Sequence, residues 1–150
     1  MAIAPAPLHT FDGYVPGENS AALAHLRTLV GALPHAVQQA PAPVYLWGPR
    51  GCGKTHLLRA LAHAAQERGL RVAWYDTRSA PPWPFDEHAA LLVLDGCQGF
   101  DDAQQQAAFA LFIEAGAHGV QIAAAGDLPP IDLPLRDDLR SRLGWGHVFV

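Results

Sequence analysis

The octapeptide Gly48-Pro-Arg-Gly-Cys-Gly-Lys54-Thr55 holds residue types that bind a polyphosphate, at the spacing G-x-x-x-x-G-K-[ST]. Its glycines let successive backbone N–H groups turn inward toward phosphate oxygens. Lys54 supplies a cation that reaches the β- and γ-phosphates, and the Thr55 hydroxyl is an oxygen ligand for Mg²⁺. The candidate nucleotide contacts are Gly48, Pro49, Arg50, Gly51, Cys52, Gly53, Lys54, Thr55 and His56. The plain alternative is a glycine-rich turn before a helix. A second group is Asp95, which closes the apolar run Leu91-Leu-Val-Leu. A carboxylate there can join Thr55 in holding the Mg²⁺ shell, or it can simply cap the turn. Active ATPases of this kind often place a second carboxylate next, to polarise water; here the position is Gly96, so intrinsic hydrolysis is expected to be slow or absent. Asp127 is open to two readings: a side chain reaching the γ-phosphate or the water, or a turn former before Pro129 and Pro130. Arg140 and Arg142 stand beside Asp137 and Asp138. They form either a solvated, salt-bridged helix end or the source of an arginine aimed at a neighbouring subunit's nucleotide.

These groups need elements to hold them. The run Val44–Trp47 reads as a buried strand leading into the glycine loop, and Thr55–Arg68 as the helix leaving it. Upstream, Asn19 is a candidate cap for a helix with Ala22, Leu26, Leu29, Val30 and Leu33 at helical spacing, stopped by Pro34. Arg71–Asp76, Leu91–Asp95, Val120–Ala125 and His147–Val150 read as further strands. Residues 79–85 hold three prolines and exclude regular structure. Asp101 and Gln104 form a capping-box pair for a helix whose buried stripe is expected to be Phe109, Phe112 and Ile113. Leu135–Leu143 reads as a short helix, and Trp145 is expected to anchor the following Gly144-Trp145-Gly146 turn by burial. Strands alternating with helices predict an α/β fold, a parallel sheet with helices on both faces.

Composition narrows the partners. The chain has 150 residues, half of them hydrophobic, enough for one core, and a net charge of −4 with no basic stripe. No strong direct DNA binding and no membrane partner are expected. The two cysteines lack metal-ligand spacing, no signal peptide is evident, and a cytoplasmic location is expected. His56 and His63 lie seven apart on one helix without an obvious third ligand.

Taken together these residues resemble the DnaA branch of the AAA+ ATPases. Gly48–Thr55 is similar to its Walker A and Leu91–Asp95 to its Walker B. Phe11-Asp-Gly-Tyr-Val-Pro-Gly17 resembles the opening of that core, which implies that Tyr14 and Val15 lie near the adenine. Gly126-Asp127-Leu-Pro-Pro130 resembles the sensor 1 turn, and Ser141-Arg-Leu-Gly-Trp-Gly146 the arginine-finger segment, making Arg142 the finger in trans. The resemblance implies a P-loop AAA+ nucleotide-binding core over residues 11–150, after a flexible lead-in at 1–10 and truncated before a helical lid. Within the branch, the short Tyr75–Leu91 stretch, the Gly-Asp-x-Pro-Pro turn and the missing second acid resemble the Hda-type regulators. That implies an ADP- or ATP-binding protein, using Mg²⁺, which acts with the DNA polymerase III sliding clamp to stimulate hydrolysis of DnaA-bound ATP. Self-association is compatible with it. The glutamine–leucine clamp motif of that type is not evident in Met1–Thr10. A DnaC- or IstB-like loader binding single-stranded DNA is the alternative. A phosphate-loop kinase is disfavoured by its poor arginine lid, and a piece of DnaA by the missing helices.

Overall fold

The computed structural model describes residues 20–34, 41–49 and 53–150. The lead-in at 1–10, Tyr14, Val15, the Asn19 cap and Arg50, Gly51 and Cys52 of the glycine loop lie outside the described residues. Five strands, β1 (Val44–Trp47), β2 (Arg71–Tyr75), β3 (Ala89–Leu94), β4 (Gln121–Gly126) and β5 (His147–Phe149), form one sheet in the order β2-β3-β4-β1-β5. Every neighbouring pair is parallel, as the alternation of strands and helices predicts. Among the described residues four α-helices accompany them: α1 (Ser20–Ala32), α2 (Lys54–Glu67), α3 (Asp102–His118) and α4 (Asp137–Gly144).

Period-two alternation splits the strand residues between two cores. Val44, Leu46, Leu91, Val93, Ala123 and Ala125 pack with Leu26 of α1 and Leu58 and Leu61 of α2. Tyr45, Leu92, Leu94, Ile122 and Ala124 face the other way, onto Leu111 and Phe112 of α3 and Leu139 and Leu143 of α4. Fully burying one such leucine contributes ~1.5–3 kcal/mol, so both faces of the sheet are firmly held. The α1 stripe Ala22, Leu26, Leu29, Val30 and Leu33 is buried as its spacing predicts. Arg68 at the end of α2 donates to the Val30 carbonyl and locks the two helices.

Several expectations shift. The third strand begins at Ala89 and ends at Leu94, so Asp95 stands just beyond it. The buried stripe of α3 is Ala108, Leu111, Phe112 and Ala115, whereas Phe109 is only half-buried and Ile113 is 44% exposed. Ala108 leads a clean i, i+3, i+4, i+7 series; Phe109 and Ile113 sit one residue further on, about 100° round the helix. Large side chains drew attention to the wrong face. The Asp101–Gln104 capping box is present, with Asp101 accepting from the Gln104 N–H and the Gln104 side chain accepting in return. Residues 79–85 contain no helix or strand. Trp83 of that segment stacks on Tyr75 at 4.8 Å and meets Phe100 edge-on at 5.5 Å.

Trp145 is 62% exposed and anchors nothing by burial. The backbone stays right-handed helical through Trp145, two residues after the buried Leu143, which turns the indole about 200° away from the core. The reversal into β5 is held instead by Gly146: a Cβ there would strike Pro43, whose carbonyl accepts from the His147 N–H at 2.9 Å.

Candidate phosphate-binding cleft

The parallel order β3-β4-β1 brings three strand ends to one edge of the sheet, the edge where ligands sit in open α/β folds. Each contributes part of a cleft of about 770 Å³. From β1 comes the glycine loop and the start of α2: Gly53, Lys54, Thr55 and His56 line the cleft. From β3 come Asp95, Gly96 and Gln98, and from β4 come Gly126 and Asp127.

Gly53 caps α2 in the left-handed region, at φ 94°, which a residue with a Cβ adopts only under strain. The first turn of α2 has no acidic residue, so the positive end of the helix is not neutralised within its own turn. Such a terminus favours an anion. Lys54 Nζ folds back to donate to the Gly48 carbonyl and, at 3.0 Å, to that of Pro49. Thr55 Oγ1 donates to Asp95 Oδ2 at 2.9 Å across forty residues of sequence. The hydroxyl and the carboxylate are hard oxygen donors, the kind Mg²⁺ takes while keeping several waters. The residues present therefore fit Mg²⁺ carried by a polyphosphate.

Gly96 also adopts a left-handed conformation, φ 70° and ψ 37°, and opens the 3₁₀ turn Cys97–Gly99. That turn drops the chain away from β3 and buries Cys97, whose thiol gives a weak hydrogen bond to the Leu94 carbonyl at 3.6 Å. Burial pushes the thiol well above its ordinary range, with the Asp95 charge adding to the effect. Asp101 and Asp102 do not line the cleft among the described residues, in keeping with their place beyond the turn.

The Asp127 turn is fastened at two points that sequence reading missed. Tyr45 Oη, from the middle of β1, donates to the Leu128 carbonyl at 2.6 Å. Burial raises the phenol far above its usual range, so it stays a donor. The ring passes so close to β4 that a Cβ at Gly126 would collide with the hydroxyl. Gln98 Oε1 accepts from the Asp127 N–H at 3.2 Å. Asp127 Oδ1 is buried and, among the described residues, has no hydrogen-bond partner. A polar side chain three residues after Asp95 was the available sequence signal for Gln98; nothing local marked Tyr45.

The arginines lie elsewhere. Gln105, buried on α3, accepts from the Arg136 N–H at 3.0 Å and donates to the Phe100 carbonyl at 3.0 Å, fixing the start of α4. Arg140 pairs with Asp137, and Arg136 with Asp138 at 2.6 Å. Arg142 is exposed, its guanidinium 5.8 Å from the centre of the Phe109 ring. Neither arginine lines the phosphate-loop cleft among the described residues. Outside the cleft, His63 lies 3.4 Å from Glu67, and no metal-ligand cluster occurs among the described residues.

Fold and cleft together define a parallel α/β core, flanked by helices, that matches the core domain of DnaA. Residues 6–78, just short of half the chain, match the family model described as the bacterial DnaA ATPase domain. The replication initiator DnaA bound to AMPPCP and single-stranded DNA is similar at 24% identity, with a TM-score of 0.79 over 98% of this chain and 50% of that one. The solution structure of protein NMB1076 from Neisseria meningitidis is similar at 26% identity, TM-score 0.58, covering 100% of this chain and 95% of that one. The crystal structure of DnaI shares the fold at 12% identity, TM-score 0.76, over 94% and 86% of the two chains. The chain spans about half the length of the AMPPCP-bound DnaA structures it matches.

Proposed function

We propose that this chain is an adenine-nucleotide-binding AAA+ regulator of replication initiation, of the Hda type, that stimulates hydrolysis of ATP bound to DnaA. The observation that carries the reading is a cleft in which Thr55 is hydrogen-bonded to Asp95 and a left-handed glycine, Gly96, follows that carboxylate. Such a site is suited to hold nucleotide, as ADP or ATP, and poorly suited to spend it. Lys54 would bear on the β- and γ-phosphates, with Thr55 and Asp95 holding Mg²⁺, whose chemistry when bound is to offset phosphate charge. The described segment between β2 and β3 has no helix, which supports the regulator over a DnaA-like initiator. The sliding clamp enters from the family resemblance, as does the finger role of Arg142.

Arg142 supports that role by exposure and Arg140 does not, being held by Asp137. On a helix the two lie about 200° apart, so they address different surfaces. A trans-acting arginine is worth roughly 10³–10⁵ in phosphoryl-transfer rate. The test is conversion of ATP–DnaA to ADP–DnaA with clamp loaded on DNA. Arg142→Ala is expected to abolish stimulation while this chain still binds nucleotide, and Arg140→Ala to lose little. Full stimulation by Arg142→Ala rejects the finger. Rapid ATP turnover by the chain alone, on single-stranded DNA and without DnaA, favours a DnaC- or IstB-like loader instead.

A further inference from the structure

Gln98 bridges the two carboxylate-bearing arms of the cleft. It stands on the 3₁₀ turn that follows Asp95, and it lines the same cavity as Lys54 and Thr55. Its side-chain oxygen accepts from the Asp127 N–H. That backbone donor fixes which end of the amide is oxygen, because only the oxygen can accept. The two hydrogens on Nε2 remain. Among the described residues they meet no acceptor, and the nitrogen is not among the buried unpartnered atoms, so it is open to the cleft that Gln98 lines.

The neighbouring charges make this donor consequential. A phosphate seated at Gly53–Thr55 would share one cleft with Asp95, Gln98 and Asp127. Asp127 cannot attract it: an ionised carboxylate only accepts hydrogen bonds. Asp127 Oδ1 is already buried without a partner, which makes more negative charge beside it costly. Gln98 supplies a neutral double donor at that same place.

We propose that Gln98 is the residue that reads the γ-phosphate: its amide N–H₂ donates to a terminal phosphate oxygen of a triphosphate. Its oxygen, held on the Asp127 N–H, passes that contact to the Gly126–Leu128 turn. The proposal rests on the nucleotide reading above and deepens it by assigning discrimination between triphosphate and diphosphate. It makes Gln98 a determinant of which nucleotide the regulator carries.

Calorimetric titration of the 150-residue chain with AMPPCP and with ADP, both with Mg²⁺, tests it. Gln98→Ala should weaken AMPPCP about tenfold and change ADP by less than about twofold, since a hydrogen bond to a charged group carries at least that factor. Gln98→Glu keeps an acceptor for the Asp127 N–H, so the turn persists, but presents an anion to the phosphate. It should weaken AMPPCP more than Gln98→Ala does. Equal weakening of both nucleotides would make Gln98 a structural tie and overturn the proposal, as would an unchanged AMPPCP-to-ADP ratio in both variants. Failure of the unsubstituted chain to bind either nucleotide is a different result. It overturns the nucleotide reading itself and this proposal with it.

Discussion

Individual residues in the cleft are constrained by backbone as much as by chemistry, and Gly96 is the clearest case. Installing the missing carboxylate looks simple from the sequence, but φ 70° penalises any side chain. The left-handed region costs an ordinary L-residue roughly 1–2 kcal/mol, with asparagine tolerated better. A Cβ would first meet Thr77 Cγ2 at an ordinary 3.7 Å, so strain and not collision sets the cost. Gly96→Glu is therefore expected to lower Tm by about 2–4 °C per kcal/mol for a chain of this size. Gly96→Asn should lose less. Thermal melts of the three proteins check this, and identical Tm values would refute the left-handed assignment. Phosphate release by Gly96→Glu should stay slow, because the strained turn has to rearrange before it can aim a carboxylate.

Between elements, the contact of α1 with the edge strand β5 carries a pH dependence. His25 on α1 lies 4.4 Å, ring to ring, from His147 on β5 and 5.2 Å from Phe149. Burial lowers the His25 pKa from the ordinary 6.5, and the His147 charge lowers it further. The unfolded chain therefore takes up a proton at His25 at a higher pH than the folded chain does. Stability from this residue is full above about pH 6.5 and is lost as pH falls through and below that value. The expected result is a drop in Tm from pH 7.5 to 5.5 that is smaller in His25→Gln. An equal drop in both proteins would remove His25 as the cause. The same logic of paired elements explains α4: Gln105 and the Arg136 N–H set its start, and Leu139 and Leu143 set its roll. Arg142 is left outward as a consequence of those buried residues.

For the molecule as a whole, nucleotide is expected to act as a stabiliser, because the cleft is assembled from three strand ends and exists only when the sheet is formed. A ligand that binds the folded state alone adds RT ln(1 + [L]/Kd), about 2.7 kcal/mol at a hundredfold excess over Kd. Mg²⁺-ADP at that excess should raise Tm by several degrees. Lys54→Ala should abolish the rise, because it removes the cation that the cleft offers to phosphate. A rise of the same size in Lys54→Ala would place the nucleotide elsewhere.

Local spacing determined a good deal of this protein. The strand before the glycine loop and the helix after it were legible, as were the α1 stripe and the Asp101–Gln104 box. Each is a pattern within a few residues, governed by backbone φ/ψ and by helical or strand periodicity. Tertiary structure decided the rest. Side-chain size misled the reading of α3, because the face that is buried depends on where the sheet lies; the same holds for Trp145. The Thr55–Asp95 bond, the Gln98–Asp127 bond and the Tyr45–Leu128 bond join residues 40, 29 and 83 positions apart. Their partners are set by the strand order β2-β3-β4-β1-β5, which places β4 between β1 and β3. Sequence periodicity specifies which residues form strands and which side of each is apolar, but the order of identical-looking apolar strands follows from how all of them bury their two faces together.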